Sequence, residues 1–395
     1  MPDSPTNDDC SGATQLAVQP FGQSCTNPTF VSTAGATPSA IPANACGSSD
    51  NNDDVWLKFE ATSLQHIFRY SNLTPLLGSV NYIGITLYDA GPANNAVCPT
   101  LTTALACDAS VGFNGGYRLI SGFIPGNLYY IRVWTTGQQN FASFNFCVQE
   151  VPPPPANDDC VNAQWVTLQP TDPTCNETLA VNTAGATSSA NKASCMPANN
   201  TEDDLWYRFT ATTPDIRLIY SNLQALLGSA NYMGYAFYKA DCPTNNTSLI
   251  CSNALGFNGG NTIISGLEPG INYYLRIWTT GNENFAAFTL CLQEIQAPGN
   301  DECANATELI SGNGFCTNAA LGQLFDATTS AGFNASPSCR GGGRTEDIWY
   351  SAIVPATGNL MVQTSPANSS ISDLVMVAYS GTCGALTQIA CDDNG

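Results

Sequence analysis

Three places in this chain set two acids, an apolar residue and a tryptophan in a row: Asp53-Asp54-Val55-Trp56, Asp203-Asp204-Leu205-Trp206 and Glu346-Asp347-Ile348-Trp349. Each is preceded by a second acidic pair, inside "NDDC" at Asn7 and Asn157 and inside "NDEC" at Asn300. Clustered carboxylates suit Ca²⁺, which takes six to eight oxygen ligands. The set that could converge is Asp8 and Asp9 with Asp53 and Asp54, then Asp203 and Asp204 in the second copy. EF-hand spacing is absent. A simpler chemistry competes: a carboxylate just ahead of a strand accepts backbone N–H bonds and fixes a loop. In that reading Trp56, Trp206 and Trp349 are structural, each filling a small core.

Catalytic chemistry has little to stand on. His66 is the only histidine, so a Ser-His-Asp triad would have to be built on it alone. Paired carboxylates can hydrolyse glycosides, but the same acids written in tandem copies speak for modules rather than one active site. "GFNGG" at Gly112 and Gly256 lacks the Lys and Ser/Thr of a phosphate loop and reads as a tight turn. No residue is assigned a catalytic role, and the chain reads as a non-enzyme.

There are 17 cysteines, and none stands in a C-x-x-C pair, so disulfides in an oxidising compartment are expected rather than zinc. Six per repeat allow 15 connectivities. A local staple is expected for Cys98–Cys107, Cys242–Cys251 and Cys383–Cys391. Domain ends that lie close together pair Cys10 with Cys147 and Cys160 with Cys291. Cys25–Cys46, Cys175–Cys195 and Cys316–Cys339 follow, and Cys303 is left over.

These residues recur because the chain repeats itself, with a period of roughly 145 residues, the size of an independent domain. "TAGAT" returns at Thr33 and Thr183, "YSNL" at Tyr70 and Tyr220, and "YYIRVWTTG" at Tyr129 as "YYLRIWTTG" at Tyr273. The expected organisation is repeat one over 7–150, a Pro-rich linker over 151–156, repeat two over 157–294, a linker over 295–299, and repeat three over 300–395. "VPPPPAN" must lie extended, a stiff spacer of roughly 12 Å. Repeat three stops where repeat one has reached about Ala109, so it is expected to be truncated, with unpaired strand edges that a neighbour's strand could fill.

Short runs rich in β-branched and aromatic residues, divided by Asn, Gly and Pro, are expected to be strands: "DVWLKFEAT", "HIFRYSNL", "YIGITLYDA", "YRLISGF", "LYYIRVWTT" and "FASFNFCVQE". Alternation puts Tyr130, Arg132 and Trp134 on one face and Tyr129, Ile131 and Val133 on the other. A short helical turn is expected only at "NDDCSGATQL". The fold class is all-β: tandem disulfide-bonded β-sandwiches joined by short Pro-rich linkers. The formal net charge of −20, with 11 Lys and Arg, excludes nucleic acid and anionic lipid as partners. No apolar run is long enough for a membrane helix and no signal peptide is recognisable.

"DLVMVAYSGTCGALTQIACDDNG" from Asp373, the "NDDC" openings and "DDLWYRFTAT" at Asp203 resemble the β-sandwich repeats of large secreted surface proteins of the Bacteroidota. Those repeats are similar to bacterial pre-peptidase C-terminal domains and loosely to CUB domains. The resemblance implies export by type IX secretion, a place outside a Gram-negative cell or on its surface, and an accessory rather than catalytic role. It also implies calcium at Asp373, Asp392 and Asp393; the first two repeats replace "ACDDN" by "ACDAS" and "ICSNA". Calcium is the one cofactor in prospect.

Two functional readings follow. One is a surface array acting as adhesin, stalk or filament component, whose partners are neighbouring copies of the chain or other surface proteins. The other is a set of carbohydrate-binding accessory modules on a polysaccharide-degrading enzyme, with Tyr82, Tyr117 and Trp165 as candidate sugar platforms. Tyr82 has a counterpart in Tyr232, whereas Tyr117 becomes Asn261 in the second repeat.

Overall fold

The computed structural model describes residues 3–22, 24–39, 53–98, 104–111, 116–135, 140–172, 174–196, 203–245, 247–255, 259–281, 284–312, 319–330, 338–339, 346–365 and 374–393. Among them the chain is all-β, and its only helical pieces are 3-10 turns at Cys10–Gly12, Cys160–Asn162 and Cys303–Asn305. The turn expected at "NDDC" therefore forms, but Asp9 stands at its N-cap without a side-chain cap bond.

Repeat one contains β1 (Thr14–Gln15), β2 (Val18–Gln19), β3 (Thr29–Ser32), β4 (Asp54–Glu60), β5 (Gln65–Leu77), β6 (Ile83–Pro92), β7 (Ala106–Val111), β8 (Tyr117–Ser121), β9 (Asn127–Thr135) and β10 (Phe141–Glu150). One sheet runs β1-β4-β9-β6-β7 and the other β2-β10-β5-β8, with β3 also on β10. Repeat two copies this with β11 (Gln164–Trp165), β12 (Leu179–Asn182), β13 (Asp204–Thr210), β14 (Ile216–Leu227), β15 (Met233–Lys239), β16 (Ile250–Leu255), β17 (Gly259–Ile264), β18 (Asn272–Thr279) and β19 (Phe285–Glu294). Its sheets run β11-β13-β18-β15-β16 and β12-β19-β14-β17. Repeat three shows β20 (Thr307–Leu309) parallel to β21 (Tyr350–Ala352), and the hairpin of β22 (Met376–Thr382) and β23 (Ala385–Asp392).

Strand alternation gives each complete repeat two cores. Val55, Leu57 and Phe59 of β4 point between the sheets, where they meet Phe68 and Tyr70 of β5 and Tyr129, Ile131 and Val133 of β9. Trp56 points the other way, into a smaller outer core with Cys10, Ala13, Tyr88 and Tyr130. Trp206 does the same with Ala163, Met196, Tyr238 and Trp278. At up to roughly 250 Å² per indole and about 25 cal/mol per Å², each such burial contributes at most about 6 kcal/mol before entropy. The second buried indole needs a glycine beneath it: a Cβ at Gly84 or Gly234 would collide with the ring of Trp134 or Trp278. The repeated "YSNL" is a β-bulge. Asn72 (φ 56°) and Asn222 (φ 57°) sit where the pairing with β10 and β19 slips, and the bulge re-aims the strand end that follows.

The cysteines pair differently from the expectation. The bonds are Cys10–Cys98, Cys25–Cys147, Cys160–Cys242, Cys175–Cys291, Cys195–Cys251, Cys303–Cys383 and Cys339–Cys391. Cys10–Cys147 and Cys160–Cys291 fail because the ends of a repeat enter different sheets. Cys10 leads into β1 of one, while Cys147 lies within β10 of the other. Cys25–Cys46 and Cys175–Cys195 fail because Cys25 and Cys175 lie beside β10 and β19 and take Cys147 and Cys291. The staples Cys98–Cys107, Cys242–Cys251 and Cys383–Cys391 fail on hairpin register. Cys107 pairs across to Thr86 and Cys251 to Ala236, well inside the hairpin, whereas Cys98 and Cys242 lie past the ends of β6 and β15. Cys383 sits in the tip of its hairpin and Cys391 opposite Val377. Cys339 takes Cys391, which excludes Cys316–Cys339, and Cys303 is bonded rather than left over. Cys107 is also bonded; Cys46 and Cys316 lie outside the described residues.

The residue ahead of the proline run is packed, whereas Pro152 to Pro155 are half-buried or exposed. Val151 is 1% exposed and donates its N–H to the Gln65 carbonyl at 3.2 Å. It belongs to a cluster with Ile67 of repeat one and Ala184, Leu227 and Phe285 of repeat two.

Candidate functional site

The carboxylates that open each repeat are spent on holding it together. Asp8 accepts the Thr37 N–H at 2.6 Å and its hydroxyl at 2.7 Å. Asp158 does the same with Thr187, and Asp301 with Thr328, all at 2.6 Å. The asparagine before each acid reaches the strand that carries the tryptophan: Asn7 donates to the Trp56 carbonyl at 3.1 Å, Asn157 to Trp206 at 3.1 Å and Asn300 to Trp349 at 2.9 Å.

The acid before the strand forms a second clamp. Asp54 accepts the Ser39 N–H at 3.0 Å together with its hydroxyl, and that hydroxyl accepts the Trp56 Nε1–H at 2.7 Å. Asp204, Ser189 and Trp206 repeat the relay at 2.9, 2.6 and 3.0 Å, and Asp347, Ser330 and Trp349 repeat it again. Behind the carboxylate lies a buried guanidinium. Arg132 Nη2 is 2.9 Å from Asp54, and Arg276 Nη2 is 3.0 Å from Asp204. Arg276 sits 5.4 Å from the Trp206 ring and 5.9 Å from the Trp278 ring, a cation held between two indoles.

The described side-chain partners of Asp8, Asp53 and Asp54 are Thr, Ser and Arg. Among the described residues no group of three or more His, Cys, Asp or Glu side chains could hold a metal ion. Asp203 is buried just ahead of β13. Asp373 lies outside the described residues, Asp392 is exposed on β23 opposite Met376, and Asp393 follows it.

Asp53 differs from its neighbour. It is fully buried, its Oδ2 accepts the Thr135 hydroxyl, and its Oδ1 has no hydrogen-bond partner among the described residues. Burial, with the charge of Asp54 adding to it, pushes its carboxyl up to about 8. His66 is equally buried, in edge contact with Phe59 and Phe123. Burial pushes it down to about 4, and Nε2 accepts the Thr62 N–H at 3.3 Å, so the ring is neutral. Its environment is a packed core rather than a catalytic cleft.

The candidate sugar platforms separate. Tyr117 carries the Arg69 guanidinium 4.8 Å from its ring and reaches Asn284 of the next repeat at 3.4 Å, so it is a joint residue. Tyr82 is half-buried and Tyr232 is exposed. Trp165 stands out: it is 53% exposed on the edge strand β11, with the Arg208 guanidinium 4.6 Å from its ring. Gln15 and Glu308 hold its place in the other repeats, as the register with β4 and β21 shows. The Thr and Ser halves of the clamps have a sequence signal in "TAGATxS", which recurs in repeats one and two, whereas the joint has no local motif.

Comparison with known proteins adds a family. Residues 6–148, 156–290 and 299–395 each match the family described as galactose binding domain-like and associated with type IX secretion. No curated protein sequence matches the chain. Among solved structures, tripeptidyl peptidase 2 (TPP II) gives a TM-score of 0.19 at 11% identity over 69% of this chain, which spans 24% of that one. The CBM22-1-CBM22-2 tandem of Paenibacillus barcinonensis Xyn10C gives 0.21 at 8% identity, over 71% of this chain and 98% of that one. The Bacillus thuringiensis delta-endotoxin Cry8Ea1 gives 0.18 at 7%, over 59% and 42%. No helix among the described residues is long and apolar enough to cross a membrane.

Proposed function

Because the chain belongs to the type IX secretion-associated family of galactose binding domain-like repeats, we propose that it works outside a Gram-negative cell as a non-catalytic array of stiff repeats. The array acts as a stalk or filament component that carries an adhesive or enzymatic part at a distance from the surface. The observation that carries this reading is the fate of the acids. In all three repeats the acid of the opening motif is locked onto a Thr, and the acid just before the Trp onto a Ser, of the same repeat. A module evolved for reach needs rigid units, and these clamps supply rigidity at the strand mouth of every unit.

One observation favours a second reading, carbohydrate binding by repeat two alone. Trp165 offers an exposed indole held by Arg208, and an exposed aromatic ring is the usual platform for the apolar face of a sugar. A polysaccharide array probed with the full chain and with its Trp165→Ala variant separates the two. The stalk reading expects no defined polysaccharide to be retained. Retention that is lost in Trp165→Ala overturns it in favour of an accessory binding module.

A further inference from the structure

Repeat two is seated on repeat one through an apolar joint. Its turn Thr183–Ala186, with Ala184 and Gly185 at the tip, faces the outer side of the sheet that contains β5. A Cβ at Gly185 would collide with the carbonyls of Pro152 and Pro153. Around the turn, Leu227 and Phe285 are both fully buried, with Phe285 6.0 Å from Phe21 of repeat one. The socket is Ile67, which lies between Leu119 on β8 and Gln149 on β10.

The same joint recurs between repeats two and three with different residues. Arg217 occupies the socket position, between Ile263 and Gln293. The matching turn, Leu324–Ala327, carries Phe325 and Asp326 where repeat two has Ala184 and Gly185. Arg217 pairs with Asp326 and lies 4.6 Å from the Phe325 ring, while Thr171 donates to the same carboxylate. An apolar turn thus meets an aliphatic socket, and an acidic turn meets an arginine socket.

Repeat one has the turn side of this joint as well. Its turn Thr33–Ala36 has the same hydrogen bond, at 3.0 Å, and carries Ala34 and Gly35, the residue types of repeat two. Leu77 pairs with Phe141 as Leu227 pairs with Phe285. Yet Leu76 and Leu77 are 51% and 55% exposed, whereas Leu227 is 0%. We propose that this face of repeat one is a docking surface for the outer sheet of another β-sandwich repeat of the same kind. That partner carries an aliphatic residue at the place of Ile67 and no arginine there. An Arg217-type socket is excluded by chemistry, because Ala34 and Gly35 offer no carboxylate and the guanidinium would be desolvated unpaired. This goes beyond the proposed stalk: it gives the array a direction and a rule for which repeats can seat on repeat one.

The test supplies such a socket. Residues 3–156, carrying Leu76→Ala and Leu77→Ala so that the two copies give different peptides, are placed a second time directly before Asn7 of the full chain, and side-chain exposure is read by hydroxyl-radical footprinting. The expected result is that oxidation of Leu76 and Leu77 in the original repeat one falls several-fold, to the level at Leu226 and Leu227. Ala34→Arg in that repeat, which leaves the footprinted residues untouched, restores it. Unchanged oxidation in the lengthened chain overturns the proposal, as does protection that persists in Ala34→Arg. If the original chain self-associates and Ala34→Arg abolishes it, the occupant is a second copy and the assignment to a separate repeat is overturned. The polysaccharide result on Trp165 bears on none of these outcomes.

Discussion

Repeat one buries two titratable side chains whose proton affinities are displaced in opposite directions, and its stability should therefore have an unusual pH profile. Asp53 titrates at 3.8 when unfolded and at about 8 when folded. The folded state holds the proton more tightly, so this contribution is complete below 3.8 and is lost as pH rises through about 8. His66 titrates at 6.5 when unfolded and at about 4 when folded, so its contribution is present above 6.5 and is lost as pH falls toward 4. Each pH unit inside a window is worth about 1.4 kcal/mol. Between about 4 and 6.5 the two slopes cancel, and repeat one is nearly flat. From 6.5 to about 8 only Asp53 responds, and stability falls by about 2 kcal/mol. Asp53→Asn removes that alkaline loss and uncovers the histidine, so that acidification from 6.5 toward 4 costs about 3 kcal/mol. His66→Ile, which installs the residue of repeat two at Ile216, does the reverse and extends the Asp53 slope down toward pH 4. The assay is denaturant-dependent hydrogen exchange by mass spectrometry on peptides from β4 and β9, which resolves repeat one from the others. An alkaline slope that survives Asp53→Asn would refute the reasoning, as would an acid slope in that variant that survives His66→Ile.

Three further outcomes are expected. Asp204→Ala leaves the Arg276 guanidinium buried without its counter-charge and should cost about 3–5 kcal/mol in repeat two, while Asp204→Leu with Arg276→Met costs much less; hydrogen exchange on β13 and β18 peptides measures both. Peptide mapping without reduction should recover Cys10–Cys98 and Cys25–Cys147, and Cys147→Ser should destabilise repeat one by about 2–5 kcal/mol in urea unfolding. Chelation should leave the melting temperatures of repeats one and two unchanged, because Asp54 and Asp204 are neutralised by arginine; a fall of several degrees on EDTA addition would count against that account.

What was legible in the sequence is what depends on local periodicity. Alternation divided β9 correctly, with Tyr129, Ile131 and Val133 in the core between the sheets and Tyr130 in the outer one. The acid at the strand mouth was legible as a loop clamp because Asp before an apolar run has few other uses. Its partner Ser39 was not, since the two are brought together only when the segment after β3 folds back over β4. The disulfides were illegible for a related reason. Nearness in sequence and nearness of chain ends were the available guides, and sandwich topology defeats both by sending consecutive segments to opposite sheets. The joint left no trace because Ile67 and Arg217 look unrelated until strand register shows that they hold one position.

The repeats differ where they meet and agree where they hold themselves together. Asp8, Asp158 and Asp301 each clamp a threonine, and Asp54, Asp204 and Asp347 each clamp a serine, so every unit closes its strand mouth by the same bonds. At the joints, Ile67 against Ala184 becomes Arg217 against Asp326. Were all sockets alike, any repeat could dock on any other, in cis or between chains, and the array would have no fixed order. An arginine socket rejects an Ala-Gly turn because its charge would be desolvated without a partner, and an aliphatic socket rejects an Asp turn for the same reason with the sign reversed. Two joint chemistries are enough to make exchange of neighbouring repeats costly, so the divergence at the joints carries the order of the units while the shared clamps carry their stability.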